Sequence, residues 1–206
     1  MKKPYYCKSV KPKQIIVFMK YIINIILLAI VCYLGYELFN TVKEVVVFNK
    51  EKAIRDEATI DRLKLIRRVQ LAHKTEKNQY AGTFDSLKLF ALNGNYTILT
   101  KIGDPNDSTI VARTDTSFTS ILDSLFKGDK TIANELDIIP HSGGAKFSLQ
   151  AGKITKNDIE IPAFEVKAPY KAIYNGLVEK YYAAKLNQSM QVGSMADATT
   201  SGNWGE

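Results

Sequence analysis

From Ile15 to Phe39 the chain runs through 25 residues of which only Lys20 and Glu37 are charged. No chain can leave such a stretch on an ordinary water-exposed surface. About 20 apolar residues in an α-helix cross a hydrocarbon layer roughly 30 Å thick, so this run spans one even with some tilt. Both charges lie near an end, where a lysine stem can snorkel and a glutamate can reach the head groups. The expectation is one transmembrane helix over 15–39.

Orientation follows from the lysines. Lys2, Lys3, Lys8, Lys11, Lys13 and Lys20 precede or open the run with no acid among them, whereas Glu37, Lys43 and Glu44 mix signs beyond it. A positive flank stays cytoplasmic, which puts a basic tail, 1–14, inside the inner membrane and the remainder in the periplasm. The tail sets topology and touches anionic lipid, so membrane lipid is the first expected partner. Of 28 basic residues those six leave 22 against 21 acidic ones. The exported part is therefore near neutral, and without a basic face there is no counterion release to drive nucleic-acid binding.

A cleaved signal peptide shares the basic start, yet the run exceeds the roughly 7–15 residues of a signal core, and Tyr33-Leu34-Gly35 is a poor cleavage site at its first position. About 165 residues lie beyond the span, enough for one domain with its own core. They contain no cysteine, both being at Cys7 and Cys32, so a disulfide framework or thiolate zinc site is excluded there.

From Thr41 to Lys77 there is no proline or glycine, and Ile60, Leu63, Ile66 and Val69 recur every three residues. This predicts an amphipathic helical stalk, 40–78, that continues out of the bilayer. Arg55, Asp56, Arg62, Lys64, Arg67, Arg68 and Lys74 fall on its other face, which reads as solvated or, through Arg62, Arg67 and Arg68, as a docking surface. The helix should stop near Asn78. An α+β domain, 79–186, follows: a turn at Tyr80-Ala81-Gly82, a short helix from Phe84 to Leu92 with Thr83 as N-cap and Asn93-Gly94 at its end, then a hairpin. Tyr96 to Lys101 and Thr109 to Arg113 alternate about a turn at Asp104-Pro105-Asn106-Asp107. Ser120 to Phe126 fits a helical turn or a strand. Phe147 to Ala151, Ile159 to Ile161 and Phe164 to Ala168 read as short antiparallel strands separated by Gly152 and Pro162 and ended by Pro169-Tyr170. Tyr174 to Leu186 suggests a helix, with Tyr181 and Tyr182 facing the core or a partner. The last segment, 187–206, has an irregular composition, in which a single tryptophan, Trp204, marks a docking anchor.

Catalysis is hard to place. His73 and His141 are the only histidines, and no phosphate loop, dinucleotide fingerprint, nucleophile elbow or metalloprotease helix occurs. His141-Ser142-Gly143-Gly144 reads as a turn. No third or fourth donor sits at metal-site spacing, and Asp104 with Asp107 lacks the periodicity of a calcium loop. The expectation is a non-enzyme without catalytic, metal or cofactor residues.

The order of basic tail, single span, long helix, Tyr-x-Gly turn and small antiparallel sheet resembles a type IV pilin or type II secretion pseudopilin. Arg62-Leu63-x-x-Ile66-x-x-x-Gln70-x-Ala72 leading to Tyr80-x-Gly82 looks like the place where those proteins leave their helix. The likeness covers roughly residues 15–100. Lys13-Gln14-Ile15-Ile16 carries no cleavable glycine, and no glutamate five residues in, so filament processing is not implied. Thr59-Ile60-x-Arg62-Leu63-Lys64-x-Ile66-Arg67, Phe84-Asp85-Ser86-Leu87, Phe147-x-Leu149-x-Ala151-Gly152 and Val192-Gly193-Ser194 through Gly202-Asn203-Trp204 are similar to a family of single-span envelope proteins of Bacteroidota. That resemblance implies location and architecture and gives no chemistry.

The resulting expectation is a membrane-anchored structural or assembly component of a secretion, pilus-like or motility complex. It would act through its helix, sheet edge and C-terminal segment on other envelope proteins, a homo-oligomer among them. The alternative is a periplasmic module that recognises a peptide or cell-wall fragment in a groove of the sheet.

Overall fold

The computed structural model describes residues 12–102, 113–156 and 158–205. The fold is α+β, opening with helix α1 (Pro12–Lys77, 66 residues). The chain divides into two compact units, Met1–Asn49 and Lys50–Glu206.

In the first unit α1 exposes its apolar side chains, Ile22, Ile25, Leu28, Leu34 and Phe39 among them. A helix closes its own backbone hydrogen bonds, which is what a hydrocarbon layer demands of a spanning segment. Among the described residues α1 is the one helix with a segment long and apolar enough to cross a membrane.

In the second unit the rest of α1 is a core element. Leu63, Ile66 and Val69 are completely buried, and so are Thr59 and Gln70. The expected three-residue spacing therefore holds, and the helix stops at Lys77 because Asn78 turns left-handed (φ 57°). Helix α2 (Phe84–Asn93) follows, its first turn capped by the Thr83 hydroxyl, which accepts from the N–H of Ser86 at 3.3 Å. Strands β1 (Asn95–Ile102) and β2 (Arg113–Ser120) form an antiparallel pair with Asn95 opposite Ser120. The hairpin is as expected, but its second strand lies further along than Thr109 to Arg113. The stretch Arg113-Thr114-Asp115-Thr116-Ser117-Phe118-Thr119-Ser120 gives no apolar alternation to find it by, only the strand preference of threonine. The Asp104–Asp107 turn and residues 109–112 of the expected second strand lie outside the described residues. Ser120 to Phe126 resolves as helix α3 (Ile121–Phe126), with α4 (Lys130–Asn134) next, its first turn capped by Asp129.

The main sheet has the order β3-β4-β5, all antiparallel: β3 (Ser148–Lys156), β4 (Ile159–Pro169) and β5 (Ser189–Gly193). Phe164, Val166 and Ala168 of β4 are buried while Glu165 and Lys167 between them pair at 2.8 Å, the alternation of a strand with one covered face.

Three expectations need correction. Gly152 and Pro162 do not divide the strands. Opposite Lys153, Pro162 sits where β4 has a neighbour on the β3 side only, since β5 begins pairing at Glu165; a missing N–H there can face the vacant side. Tyr174 to Leu186 is no helix. Gly176 reverses the chain at φ 79°, leaving a short helix α5 (Tyr170–Ile173) and two 3-10 turns, Glu179–Tyr181 and Ala183–Lys185. The segment 187–206 is not an irregular tail either. Its Ser189–Gly193 joins the sheet, with Val166 opposite Val192, because Met190 and Val192 alternate with polar Ser189 and Gln191 and bury their side chains.

Candidate functional site

The charged face of α1 was expected to be solvated. Most of it instead fastens the second unit together, because elements pack on more than one side of the helix. Arg55 Nη1 donates to the carbonyls of Ile173 (3.2 Å) and Asn175 (2.8 Å). Arg62 Nη1 donates to the carbonyl of Glu135 at 2.8 Å, and burial lowers its pKa more than the charge of Glu135 raises it. Arg67 Nη1 reaches the carbonyl of Thr200 at 3.5 Å. The Lys74 ammonium lies 5.1 Å from the centre of the Tyr80 ring, a cation–π contact. Of the three arginines proposed for docking, Arg68 is the one that is exposed.

Asp56 is the centre of a second group. Its carboxylate takes the Lys52 ammonium at 2.6 Å and the Tyr174 hydroxyl at 2.7 Å. Burial first, and then the hydrogen bond to Asp56, push the Tyr174 hydroxyl far above its ordinary value, so it remains a donor. Tyr182 is buried edge-on against Tyr174 with ring centres 5.1 Å apart, and Tyr170 stacks on Tyr174 at 5.5 Å. Tyr182 is thus a core residue. Tyr181 is half-buried, with the Lys180 ammonium 4.7 Å above its ring. Lys20 is exposed on α1; Lys13 also lies on α1, while Lys2, Lys3, Lys8 and Lys11 lie outside the described residues.

The Tyr-x-Gly turn is built from the helix before it. Gln70, fully buried, donates from Nε2 to the carbonyl of Ala81 and accepts the Ala81 N–H on Oε1, both at 2.9 Å. One turn later His73 Nδ1–H donates to the carbonyl of Gln79 at 2.7 Å, and its ring meets Phe90 edge-on at 4.8 Å. His73 is spent on structure. His141 to Gly144 is a turn, with His141, Gly143 and Gly144 all at positive φ. The buried Ser142 hydroxyl donates to the carbonyl of Ile139 at 2.7 Å, so it is not presented as a nucleophile.

Sequence reasoning missed Asp137. This carboxylate is buried and takes two lysines, Lys88 at 2.5 Å and Lys146 at 2.9 Å. Burial alone would raise its pKa; the hydrogen bonds and charges of Lys146 and Lys88 outweigh that and hold it below the usual carboxylate range. The signal was an acid inside the apolar run Leu136-Asp137-Ile138-Ile139, where only a paired charge is tolerated. Among the described residues no cluster of three or more histidines, cysteines or carboxylates is placed to hold a metal ion.

Two clefts remain. One, of about 380 Å³, lies between the end of α1 and α2 and is bordered by His73, Glu76, Phe90 and Asn93. The other, of about 340 Å³, separates the Asn78–Gly82 turn from Ala151, Gly152 and Lys153 of β3. At the C-terminal end of the sheet, Asn203 clamps β5: its N–H donates to the Gln191 carbonyl (3.1 Å), its side chain accepts from the Gln191 N–H and donates to the Ser189 carbonyl, both at 2.9 Å. Trp204 follows, half-buried against Gly202. Comparison with protein-family models, with curated proteins and with solved structures finds no match to this chain.

Proposed function

We propose that this chain is a non-enzymatic, single-pass component of an inner-membrane assembly of the cell envelope, of the secretion, pilus-like or motility kind, with its basic start cytoplasmic and its α+β unit periplasmic. The observation that carries this reading is the double use of α1. One helix holds an apolar, exposed segment long enough to cross a hydrocarbon layer, and also the buried Leu63, Ile66 and Val69 of the folded unit. An element with both roles serves to hold a folded unit at a membrane. Histidine and serine side chains with catalytic potential, His73 and Ser142, are committed to backbone carbonyls, which supports a scaffold over an enzyme.

Protease added to spheroplasts is expected to remove the α+β unit and leave the basic start protected; protection of the unit instead would reverse the orientation. In mild detergent the chain is expected to migrate in an assembly larger than the monomer, unchanged when His73 and His141 are both replaced by Gln. A monomer at all concentrations would end the scaffold reading. The cleft between β3 and the Asn78–Gly82 turn favours a second reading, a module that binds a peptide or cell-wall fragment. Saturable binding of such a fragment, lost on filling the cleft with Gly82→Trp, would decide for it.

A further inference from the structure

The contacts of α1 set the elements of the second unit in order along its axis. Arg55 holds the carbonyls of Ile173 and Asn175, and Asp56 holds the Tyr174 hydroxyl. Further along, Arg62 meets Glu135, Arg67 meets Thr200 and Gln70 fixes Ala81. At 1.5 Å per residue the segment 170–186 therefore lies about 22 Å before the Tyr-x-Gly turn, at the end where the chain enters the unit. Entry is at Lys50. Ten residues, 40–49, separate it from Phe39, the last of the apolar run, and Val42, Val46 and Val47 among them are apolar and exposed. A tether of that length covers roughly 15 Å as a helix and at most about 35 Å drawn out. Whatever angle it takes, the end of the unit that carries 170–186 stays close to the layer that receives the apolar run.

What that end presents suits a head-group layer. Val178 is 44% exposed, and Tyr170 and Tyr181 are half-buried. The Lys185 ammonium lies 5.1 Å from the centre of the Tyr170 ring, and that of Lys180 4.7 Å from the Tyr181 ring. A tyrosine ring with a wet hydroxyl and a lysine stem with a charged tip both settle where hydrocarbon gives way to water. The charge agrees. Over 170–186 there are three lysines, Lys171, Lys180 and Lys185, and one acid, Glu179, an excess of two positive charges. The neighbouring charges of α1 pair among themselves, Lys52 with Asp56 at 2.6 Å and Arg55 with Glu51 at 3.8 Å, and leave that excess in place. A basic cluster beside a membrane is drawn to anionic lipid.

We infer that the surface formed by 170–186 docks on the anionic lipid head groups of the membrane that holds the chain, with Lys171 and Lys185 supplying the attraction and Val178 entering the interface. The inference rests on the proposed anchoring by the first stretch of α1 and deepens it: the helix tethers the unit, and this surface fixes which way the unit faces.

Lipid quenching of a single fluorophore tests it. The full chain, with Cys7 and Cys32 replaced by serine, is reconstituted in vesicles of phosphatidylcholine alone or mixed with phosphatidylglycerol, with nitroxide lipids labelled at the acyl chain or the head group. One fluorophore is placed by Leu27→Cys, Val178→Cys or Leu89→Cys. Leu27 reports the anchor. Leu89, on the helix that meets the far end of α1 through His73 and Phe90, reports a surface turned away from the membrane. The Leu27 label is expected to be quenched by acyl-chain nitroxide in both mixtures. The Val178 label is expected to be quenched by head-group nitroxide several-fold more than the Leu89 label when phosphatidylglycerol is present, and less without it. Lys171→Gln with Lys185→Gln is expected to lower the docking constant about thirtyfold, two lysines at roughly 1 kcal/mol each, with the circular dichroism and the Leu27 signal unchanged. Quenching at Leu27 with none at Val178 beyond that at Leu89 would overturn the inference and leave the anchor standing. No quenching at Leu27 would overturn the anchor and the inference with it. Val178 quenching indifferent to phosphatidylglycerol or to the paired lysine substitutions would remove anionic head groups as the occupant. A Val178 label shielded in native membranes yet open in vesicles would give the surface to a protein instead.

Discussion

The two stretches of α1, Met19–Asn49 and Lys50–Lys77, share one backbone conformation and differ in what their side chains meet. In the first, aliphatic residues occupy every side of the helix and all the large ones from Met19 to Phe39 are exposed. In the second, they keep to a stripe, Leu63, Ile66 and Val69 are sealed, and arginines on other faces bind carbonyls of the domain. Helix propensity does not separate the two. The surroundings do: lipid accepts apolar groups from all directions, whereas a protein core covers one face and leaves polar partners for the others. An all-round apolar helix is therefore compatible with a membrane anchor, and a striped one with packing on a domain.

The largest effects should come from breaking the stripe. Leu63→Ala is expected to lower the stability of the α+β unit by about 2–5 kcal/mol, the range for a large-to-small change in a sealed core, and Ile66→Asp to prevent folding. Leu27→Ala, an aliphatic truncation of the same size in the first stretch, is expected to leave the unit's urea midpoint unchanged in the detergent-solubilised chain. Equal losses at Leu27 and Leu63 would dissolve the contrast between the stretches.

The next effect concerns polar residues on the sealed face. Gln70→Ala strips the Ala81 N–H and C=O of both partners at once. An orphaned buried polar group costs about 1–3 kcal/mol. A loss of about 2–3 kcal/mol in denaturant unfolding is expected, together with faster proteolysis at the Gln79–Gly82 turn. No such penalty is expected for Asn24→Ala in the first stretch of α1.

Asp137 ties its charge pair to pH. Its folded pKa lies below the unfolded value, so its contribution is complete above the unfolded carboxylate range and is lost as pH falls through the folded one. Lys146 is shifted upward, first by its hydrogen bond to Asp137, so its part fades only as pH rises through the lysine range. Stability measured against pH should fall on the acid side, and Asp137→Asn should flatten that limb while costing about 1–2 kcal/mol near neutrality, because the part-buried Lys88 loses its carboxylate partner. An unchanged acid limb in Asp137→Asn would remove the pair from the account.

What the sequence made legible follows the same division. Periodicity located the apolar run, the stripe at Leu63, Ile66 and Val69, the Thr83 cap and the alternation of Phe164, Val166 and Ala168, since each is a local pattern. The readings that failed required knowledge of a distant neighbour. Arg55, Asp56 and Arg62 look solvated on a helical wheel until Ile173, Tyr174 and Glu135 arrive from more than 70 residues away. Strand β5 is five residues long with two apolar ones, and only its pairing with β4 makes it a strand. Gln70 stood out as a word before the turn, but its role needed the position of Ala81. The docking residues divide likewise: Tyr182 is in the core, while Arg68 is exposed and Tyr181 half-buried.

The smallest effect lies at Trp204, whose indole is half-buried. The indole lies against Gly202 so closely that a Cβ at that position would stand 2.3 Å from ring atoms, and glycine is needed there for the approach rather than for a turn. Half-burial gives roughly half of the 2–3 kcal/mol that a sealed large side chain contributes. The indole N–H, shielded without a protein acceptor among the described residues, takes back part of that gain. Trp204→Ala should therefore cost about 1 kcal/mol or less. Since the chain holds one tryptophan, its fluorescence reads the contact directly. The emission should lie between that of a sealed and a free indole, and Gly202→Ala, which cannot leave the ring in place, should shift it to the red and open it to iodide quenching. Emission already at the free-indole limit, equally quenched with and without Gly202→Ala, would show that the ring does not dock on its own domain. A blue shift that develops only in the larger assembly would assign its covered face to a partner.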